Sequence, residues 1–298
     1  MTLNYHHLRY FWAVARRGNL TRASEELNLT PQTVSTQIKD LEAALGERLF
    51  KRSGRLLVLT EVGQVVYRYA DDIFEIGQEL LETLRGQPSD RSPRLLVGVV
   101  DIMPKLVVHE VLKPALRMEE PVRIVCLEGP ADKLLAELAI HGLDVVLSDT
   151  AISSEVSVRA YNHLLGECGV TFMAAGSLAH AYREGFPASL DGAPMLLPTN
   201  GTVLRRNLDR WFEVEGVHPI VAGEFQDSAL IKIFGQAGVG VFTVPSVIEA
   251  EVQNQYQVEV VGTAEDVTER FYAISVERKI RHPAVSAICS AARAELFA

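Results

Sequence analysis

The sequence is poor in cysteine and has no long apolar run, and each shortage excludes a class of protein. Its three cysteines are odd in number, far apart and without C-x-x-C spacing, so neither a disulfide framework nor a zinc finger is expected. No stretch approaches the roughly 18 apolar residues of a membrane span, and the first residues lack the pattern of a signal peptide. We therefore expect a water-soluble, cytoplasmic chain with no membrane partner, whose cysteines are buried free thiols.

Evidence for an enzyme is also lacking in the sequence. Gly238-Val239-Gly240 precedes a predicted strand instead of following one, so it is not a phosphate-binding loop. Cys168 could act as a nucleophile beside His163, but its apolar surroundings favour an inert thiol. His6 and His7 have no cysteine or acidic partner at ligand spacing, which favours a capping or DNA-facing role over metal binding. We expect no catalytic residue, no transition-metal site and no cofactor.

Charge is distributed unevenly along the chain. Residues 1–60 hold nine Lys and Arg against five Asp and Glu, a net charge of +4, whereas the remaining residues hold 20 against 33, a net charge of −13. The whole chain is therefore acidic, with a formal net charge of −9. A short basic module on an acidic body predicts that a polyanion such as DNA binds near the N-terminus alone.

A helix-turn-helix is predicted within this basic module. Thr30 precedes Pro31 in the manner of a helix cap followed by the first helical residue. An apolar face at helical spacing continues this helix, with the residues Val34, Ile38, Leu41 and Leu45. The opposite face carries short polar side chains and one cation, which suit base edges and phosphates in a major groove. These predicted DNA-contacting residues are Pro31, Gln32, Thr33, Ser35, Thr36 and Lys39.

A basic hairpin follows this helix. Two short apolar runs flank a Ser-Gly turn and predict two strands. Three cations lie near the tip and are expected to contact phosphates: Lys51, Arg52 and Arg55. A three-helix bundle with a polar face could by itself be an ordinary soluble domain. The added basic hairpin favours a winged helix-turn-helix over residues 1–60 that binds double-stranded DNA.

A set of residues between Leu8 and Gly63 resembles the LysR-type transcriptional regulators. They are Phe11, Ala15, Ala23, Leu27, Val34, Ser35, Ile38, Leu41-Glu42, Leu45-Gly46, Leu49-Phe50, Arg52, Arg55 and Leu59-Thr60-Glu61-Val62-Gly63. The resemblance extends over essentially all 298 residues. It implies a regulator that binds promoter DNA as a dimer or tetramer, has RNA polymerase as a partner and carries a bilobal α/β effector domain of the periplasmic-binding-protein type (type 2).

Four further segments resemble the branch of this family that activates sodium/proton antiporter genes in response to sodium. They are residues 5–12, 30–33, 66–71 and 167–170. One departure concerns the recognition helix. Many members place Gln before Pro at its start and a basic residue after the Ser, whereas this chain has Pro31-Gln32 and then Thr36. We therefore expect base contacts that differ from the family norm.

A long helix is predicted from Thr60 to about Leu84. Its apolar residues recur at alternating steps of four and three, the seam of a coiled coil, which predicts dimerisation. The seam residues are Val62, Val66, Tyr69, Ile73, Ile76 and Leu80. An amphipathic helix packed on its own domain is the alternative, but two DNA half-sites require two recognition helices related by symmetry. Residues 61–91 thus form a linker that ends in a polar, breaker-rich hinge over residues 85–93.

From Arg94 onward, short apolar runs alternate with helical periods, which predicts α/β layers with parallel strands. The strand candidates are 94–100, 122–127, 144–148, 168–174, 195–197, 220–223, 240–244 and 272–276. By resemblance, residues 92–298 form the effector domain, with lobe one over 92–161 and 268–298 and lobe two over 165–263. Ligands of open α/β sheets lie beyond the carboxyl ends of the strands, so the cleft between the lobes is the expected effector site.

Carboxylates are frequent just after the predicted strands. The residues expected to bind the effector are Asp101, Met103, Glu128, Asp149, Thr199, Thr202 and Asp227. Carboxylates are hard oxygen ligands that suit alkali cations. The four that could converge on a sodium ion are Asp101, Glu128, Asp149 and Asp227. The alternative is that each acidic residue simply caps a helix start.

Three functions are compatible with these patterns. The first is a LysR-type activator that responds to sodium and pH and controls a sodium/proton antiporter gene. The second is a regulator of the same architecture that senses a small organic molecule, which would differ in that sodium alone leaves DNA protection unchanged. The third is an enzyme that its N-terminal module places on DNA. It is the least expected, because the sequence offers no nucleophile, base or metal constellation.

Overall fold

A computed structural model shows two compact units, one formed mainly by residues before position 92 and the other mainly by residues after it. The structure describes residues 3–53, 56–84, 94–120, 122–152 and 160–298. No helix in these ranges is both long enough and apolar enough to span a membrane. The predicted hinge over residues 85–93 lies outside the described residues.

The described part of the first unit consists of helices and one hairpin. Its elements are α1 (Tyr5–Arg17), α2 (Leu20–Glu26), α3 (Pro31–Leu45), β1 (Phe50–Ser53), β2 (Leu56–Leu59) and α4 (Glu61–Leu84). Asn4 caps α1, and its Oδ1 accepts hydrogen bonds from the backbone N–H groups of His6 and His7 at 3.0 and 3.3 Å. The helix ends where Gly18 adopts a left-handed φ of 62°, a conformation that glycine adopts without strain.

The core of the first unit joins its helices to the start of the hairpin. Its buried side chains include Leu8, Phe11, Val34, Ile38, Leu41 and Leu49. These residues confirm the apolar face that helical spacing predicts for α3. The first turn of α4 lies so close to this core that a Cβ at Gly63 would collide with the carbonyl oxygen of Leu49, so the approach requires glycine.

The second unit alternates strands and helices. Its elements are β3 (Arg94–Val100), α5 (Lys105–Leu112), β4 (Arg123–Gly129), α6 (Ala131–Ala139), β5 (Val145–Ser148), β6 (Tyr161–Ala175), α7 (Gly176–Arg183), β7 (Pro194–Pro198), α8 (Val203–Glu215), β8 (Ile220–Phe225), α9 (Ser228–Gln236), β9 (Phe242–Pro245), α10 (Glu249–Tyr256), β10 (Val258–Ser275) and α11 (Pro283–Ala291). All eight predicted strands are present, and the α/β class is confirmed.

Six strands of the second unit form one sheet in the order β4-β3-β5-β10-β6-β9, and β7 and β8 form a separate pair. Strand β3 is parallel to β4 and β5, and β7 is parallel to β8. Strand β10 is antiparallel to both β5 and β6, and β6 is antiparallel to β9. The prediction of parallel strands therefore holds for only part of the sheet.

Strands β6 and β10 are much longer than predicted, at 15 and 18 residues. Both are apolar and buried mainly at one end, over 170–174 in β6 and 271–275 in β10, while the rest of each strand mixes buried and exposed positions. Apolar runs therefore identified only their buried ends. These two strands contain the predicted crossing points between the lobes, whose bounds remain a prediction.

Two hydrophobic cores support the second unit. One lies around β3 and β5 and includes Leu95, Val97 and Leu147. The other includes Phe172 of β6 and Phe212 of α8. The expectation that all cysteines are buried is wrong for Cys126, which is exposed because β4 is a largely exposed strand at the sheet edge, whereas Cys289 is buried.

Candidate functional site

Helices α2 and α3 form the helix-turn-helix. Asn19 caps α2, and its Oδ1 accepts from the backbone N–H of Thr21 at 2.9 Å. Thr30 caps α3, where its Oγ1 accepts from the backbone N–H of Thr33 at 3.2 Å and Pro31 occupies the first helical position. Asn28 has a φ of 55° in the turn between the helices. Local side-chain capping therefore sets the start of each helix.

Most of the predicted DNA-contacting face of α3 is exposed. Its exposed residues are Pro31, Gln32, Thr33, Thr36 and Lys39, whereas Ser35 is half-buried. The hydroxyl of Thr36 donates to the carbonyl oxygen of Gln32 at 3.0 Å, and the hydroxyls of Thr33 and Thr30 lie 2.8 Å apart. Two predicted contacts thus already have partners within the helix. Gln32 and Lys39 present the fullest hydrogen-bonding capacity on this face.

The hairpin is anchored to α3 through Glu42. Its Oε1 accepts from the backbone N–H groups of Leu49 and Phe50 at 2.7 and 3.2 Å. The N–H of Leu49 precedes β1, and that of Phe50 belongs to its first residue, so one carboxylate sets where the hairpin begins. An ionised acceptor makes such bonds stronger than neutral ones. The carboxylate therefore positions the wing relative to the recognition helix.

The predicted wing cations are described to different extents. Lys51 is exposed on β1. Arg52 has its backbone in β1, and Arg55 lies outside the described residues. Strands β1 and β2 pair antiparallel, with Phe50 opposite Leu59. The structure thus confirms the two-stranded hairpin, and the phosphate contacts of its cations stay a prediction.

Helix α4 has two apolar faces. The predicted seam residues Val62, Tyr69, Ile76 and Leu80 are exposed, and Ile76 exposes 65% of its surface. The other two, Val66 and Ile73, are half-buried and pack on the core of their own unit. The alternative of a helix packed on its own domain holds for one face, and dimerisation through the exposed face stays a prediction. Val66 and Ile73 do not belong to the open face.

Two of the residues predicted to bind an effector, Met103 and Glu128, are placed differently from expectation. Met103 is fully buried in the hydrophobic core beneath α5, so its predicted effector contact is wrong. Asp101 is exposed. The carboxylate of Glu128 forms an ion pair with the Nζ of Lys105 at 2.6 Å. Apolar packing and a local cation thus account for Met103 and Glu128.

Two other predicted residues are helix caps. Thr202 accepts through Oγ1 from the backbone N–H of Arg205 at 3.1 Å at the start of α8. Asp227 accepts through Oδ1 from the backbone N–H of Ala229 at 2.7 Å at the start of α9. Thr199 is half-buried, and its backbone N–H donates to the carbonyl oxygen of residue 225 at 3.0 Å. The capping alternative therefore holds for Asp227.

The four carboxylates predicted to share a sodium ion do not form one site. In the described ranges, no group of three or more His, Cys, Asp or Glu side chains is arranged to hold a metal ion. Asp101, Glu128, Asp149 and Asp227 all lie within these ranges. The predicted set is wrong as a unit, because Lys105 engages Glu128 and the start of α9 engages Asp227.

Sequence analysis missed two charged groups that are buried in the second unit. Lys232 of α9 exposes only 4% of its surface, and its Nζ donates to the carbonyl oxygen of Ser228 at 3.0 Å. Glu269 of β10 keeps part of its surface accessible, but its carboxyl group is buried. Its Oε2 has no hydrogen-bond partner among the described residues. We call Lys232, Glu269 and the half-buried Asp149 the buried charge cluster.

The pKa values show that these groups act on one another. The pKa of Glu269 is raised to about 8, first by burial and then by Asp149, while Lys232 opposes the rise. Burial lowers the pKa of Lys232 to about 8 against the influence of Asp227 and Glu269. Burial also raises the pKa of Asp149, and hydrogen bonds from its own backbone and from Thr150 oppose this. Desolvation is the leading cause in all three cases.

Of the two residues that sequence analysis missed, only Lys232 has a sequence pattern that indicates burial. Lys232 interrupts the apolar run from Ala229 to Phe234, where a lone cation indicates burial. Glu269 lies outside the strand predicted from apolar residues, and its neighbours Thr268 and Arg270 are polar as well. Its burial depends on residues distant in the sequence.

A cavity of about 730 Å³ lies between α8 and β10. Asn207, Arg210 and Trp211 line it from α8, Arg270 from β10, and Asp149 from the loop that follows β5. Asp149 is the only predicted effector residue that lines this cavity. The mixture of aromatic, cationic and amide groups is typical of a pocket for an organic molecule.

The possible nucleophile pair is not formed. Burial raises the pKa of the Cys168 thiol, which favours the protonated, unreactive form. The Nε2 of His163 lies 3.0 Å from the hydroxyl of Ser275 and 3.2 Å from the carbonyl oxygen of Glu277. His163 therefore interacts with the end of β10 and the residues that follow it instead of with Cys168.

Comparison with known protein families agrees with both halves of this architecture. A family model described as "Bacterial regulatory helix-turn-helix protein, lysR family" matches residues 5–64, and one described as "LysR substrate binding domain" matches residues 88–296. The chain belongs to the LysR family. It is thus a LysR-type regulator with a helix-turn-helix for DNA binding and an effector-binding domain, as the sequence motifs predict.

Relatives extend the similarity along the whole length of this LysR-family chain. Transcriptional activator protein NhaR of Escherichia coli (strain K12) is 38% identical over 297 residues, covering 99% of this chain and 97% of that protein. The regulator PcaQ of Agrobacterium fabrum is 26% identical over 229 residues, covering 72% and 69%.

Solved structures of LysR-type regulators share the fold. ArgP from Mycobacterium tuberculosis has a TM-score of 0.61 at 20% identity and covers 98% of this chain and 97% of that one. Full-length CbnR in complex with its target DNA has a TM-score of 0.54 at 19% identity and covers 97% and 98%. At these identities, the similarity supports the fold alone.

Proposed function

We propose that the chain is a transcriptional activator that responds to sodium and controls a sodium/proton antiporter gene. The observation that carries this proposal is the similarity to NhaR of Escherichia coli, a transcriptional activator. The two sequences are 38% identical over 297 residues. Both the DNA-binding segments and the effector-domain segment over residues 167–170 resemble that sodium-responsive branch. The chain acts in the cytoplasm as a regulator and not as an enzyme.

Recognition of DNA is proposed to depend on α3 and the wing. Gln32 contacts a base edge, because its amide offers both a donor and an acceptor on the exposed face. Lys39 contacts a phosphate, as do the wing cations Lys51, Arg52 and Arg55. The remaining residues of the α3 face pack along the groove: Pro31, Thr33, Ser35 and Thr36. Double-stranded promoter DNA is the partner.

Self-association is proposed to use the open face of α4. Val62, Tyr69, Ile76 and Leu80 form an exposed apolar row, and a second copy of the chain would cover it. Two copies supply two recognition helices for two half-sites. Dimers then pair into tetramers and contact RNA polymerase at the promoter. A coupling free energy of only about 1 to 3 kcal/mol between effector binding and DNA binding is enough for such a response.

Footprinting tests the sodium response. The promoter of an antiporter gene is footprinted with the purified protein in NaCl and in KCl. The two salts are compared at equal ionic strength, because the phosphate-driven part of the affinity for DNA itself falls steeply with salt. We expect protected positions that change in sodium but not in potassium. Identical footprints in the two salts across the whole titration would refute the proposed response.

A second candidate is a regulator that senses a small organic molecule. The 730 Å³ cavity supports it, since ligand pockets commonly span about 300 to 1,000 Å³. A sodium-free, small-molecule fraction of cell extract should then change the footprint in potassium. Replacement of Arg210 by alanine in the cavity wall should weaken that change, whereas replacement of the exposed Lys133 should not.

A further inference from the structure

The cavity of about 730 Å³ between α8 and β10 has two regular walls. The α8 residues in its lining recur at steps of four, three and four, which places them on one face of the helix. They are Val203, Asn207, Arg210 and Val214. On β10, every second residue from Asp266 to Tyr272 lines the cavity, so one face of the strand forms the other wall. Both walls are therefore presented by regular elements.

Arg210 is a cation without a partner on the α8 wall, where it lies exposed. Arg205 of the same helix is paired with Asp209 at 2.8 Å. Arg206 donates to the carbonyl oxygen of Gly201 at 2.8 Å. Arg210, by contrast, forms no hydrogen bond or ion pair with any residue that the structure describes. Its guanidinium keeps all five donors, in the planar fork that binds a carboxylate through two parallel hydrogen bonds.

Asp149 supplies the opposite charge to the same cavity. It is half-buried, and it forms no ion pair within the described ranges. Burial raises the pKa of its carboxyl group, and the hydrogen bonds that oppose this come from its own backbone and from Thr150, which carry no charge. An ammonium group beside Asp149 would offset the water that the carboxylate has lost. Two exposed carboxylates, those of Glu215 and Asp266, also line the cavity.

We propose that this cavity binds a zwitterionic amino acid, with its carboxylate on Arg210 and its ammonium on Asp149. The inference rests on the second candidate function, sensing of a small organic molecule, for which it names the ligand class. Charges of both signs line one cavity without pairing with each other, which favours a ligand that carries both signs. Val214 exposes 75% of its surface and Trp211 lies beside it, so an apolar side chain of the ligand would cover apolar surface there.

Titration calorimetry of the full chain, in potassium buffer without DNA, tests the ligand class. The probes are the standard amino acids and the short unbranched ω-amino acids. We expect at least one of them to bind at a single site. Its two analogues, one without the ammonium and one without the carboxylate, should each bind at least about tenfold more weakly, a difference of about 1.4 kcal/mol. A panel in which nothing binds would overturn the proposal, and so would an analogue that binds as tightly as the amino acid.

Two variants test which residue binds which end of the ligand. Arg210→Ala should weaken binding of the amino acid by at least about tenfold, yet leave the affinity for the analogue without a carboxylate unchanged. Asp149→Asn should weaken binding of the amino acid and leave the affinity for the analogue without an ammonium unchanged. Damage to the cavity would instead weaken all three ligands equally, which would overturn the assignment. Lys133→Ala, an exposed cation of α6 outside the cavity lining, is the matched control.

The outcomes separate this site from the function on which it rests. If the small-molecule fraction of cell extract changes the footprint but no amino acid binds, the ligand class is wrong and the second candidate function stands. If an amino acid binds as expected but leaves the footprint unchanged, the site is right and that function falls. If neither effect is seen, both fall. Where a variant does not fold, the two analogues on the unmodified chain still decide the ligand class.

Discussion

The indole Nε1 of Trp12 donates a hydrogen bond of 2.7 Å to Oδ1 of Asp71. Trp12 lies on α1 and Asp71 on α4, so the bond ties the first helix to the linker helix. The ring of Trp12 also packs on Phe74, with 5.2 Å between ring centroids, and the guanidinium of Arg16 lies 5.1 Å from the indole ring. Polar and aromatic contacts together hold the linker helix on the DNA-binding module.

Replacement of Trp12 by phenylalanine tests this connection. The variant keeps an aromatic ring against Phe74 but loses the N–H donor, and a hydrogen bond to a charged group contributes about 1.5 to 3 kcal/mol to stability. We expect the opening free energy of α1, measured by native-state hydrogen exchange, to fall by about that amount. Tyr5→Phe alters an exposed aromatic of the same helix and should leave exchange unchanged. Equal protection in both variants would contradict the role of the bond.

Loss of the Glu42 carboxylate should loosen the wing. Glu42→Ala leaves the backbone N–H groups of Leu49 and Phe50 without their acceptor, at a cost of about 1 to 3 kcal/mol. Hydrogen exchange at residues 49 and 50 should accelerate accordingly, and affinity for promoter DNA should fall. Glu47→Ala changes an exposed carboxylate nearby and serves as the control. The prediction fails if both variants exchange alike.

Two residues of α3 should affect DNA binding differently. Gln32→Ala should lower affinity for the operator but not for random duplex, since it removes a base contact worth about 1 to 3 kcal/mol. Lys39→Ala should weaken binding to both and reduce the salt dependence of log affinity by about one phosphate contact. Binding isotherms at several salt concentrations measure both effects. Lys133→Ala, in the second unit, is the matched cation control.

A charge on the open face of α4 should prevent pairing of two copies. Ile76→Glu places a carboxylate where we expect a partner helix, and burying it there would cost several kcal/mol. Sedimentation equilibrium should then give monomers, with weakened binding to a two-half-site operator. Gln64→Glu adds the same charge to α4 off this row and should leave assembly unchanged. An Ile76→Glu protein that still associates would show that another surface holds the copies together.

Glu269 should make stability depend on pH. Its folded-state pKa is about 8 and its ordinary value is 4.5, so the folded chain holds the proton more tightly than the unfolded chain. Its contribution to stability is complete below pH 4.5 and is lost as the pH rises to about 8, at up to about 1.4 kcal/mol per pH unit. Glu269→Gln should therefore gain stability relative to the unmodified chain between pH 5 and 8.

Thermal unfolding at pH 5, 6.5 and 8 in potassium measures this difference. The range ends at pH 8 because of Lys232, whose folded-state pKa is lowered to about 8. Above pH 8, Lys232 makes stability rise with pH, which is opposite to the effect of Glu269. Glu265→Gln should differ from the unmodified chain by a constant amount across the range. A constant difference for Glu269→Gln as well would show that its carboxyl is solvated.

Features set by neighbouring residues could be predicted from the sequence, and features set by distant contacts could not. Thr30 and Pro31 start α3 as expected, because a cap depends on bonds within one turn. Strand β3 also has its predicted bounds. Met103 was misplaced, because a position after a strand does not show whether the side chain faces a cleft or the core. Glu269 lies opposite Cys168 of β6, a strand distant in the sequence, and no local pattern reports such long-range pairing.

Ala70 is completely buried in the core of the first unit, while Ile76 on the same helix is open to solvent. A turn of α4 about its long axis would therefore pull Ala70 out of the core of the first unit. If two copies pair through the exposed face of α4, as proposed, each α4 helix would move together with the DNA-binding module on which it packs. Effector binding would then change the distance between the two recognition helices on the operator without changing the DNA-contacting surface of either.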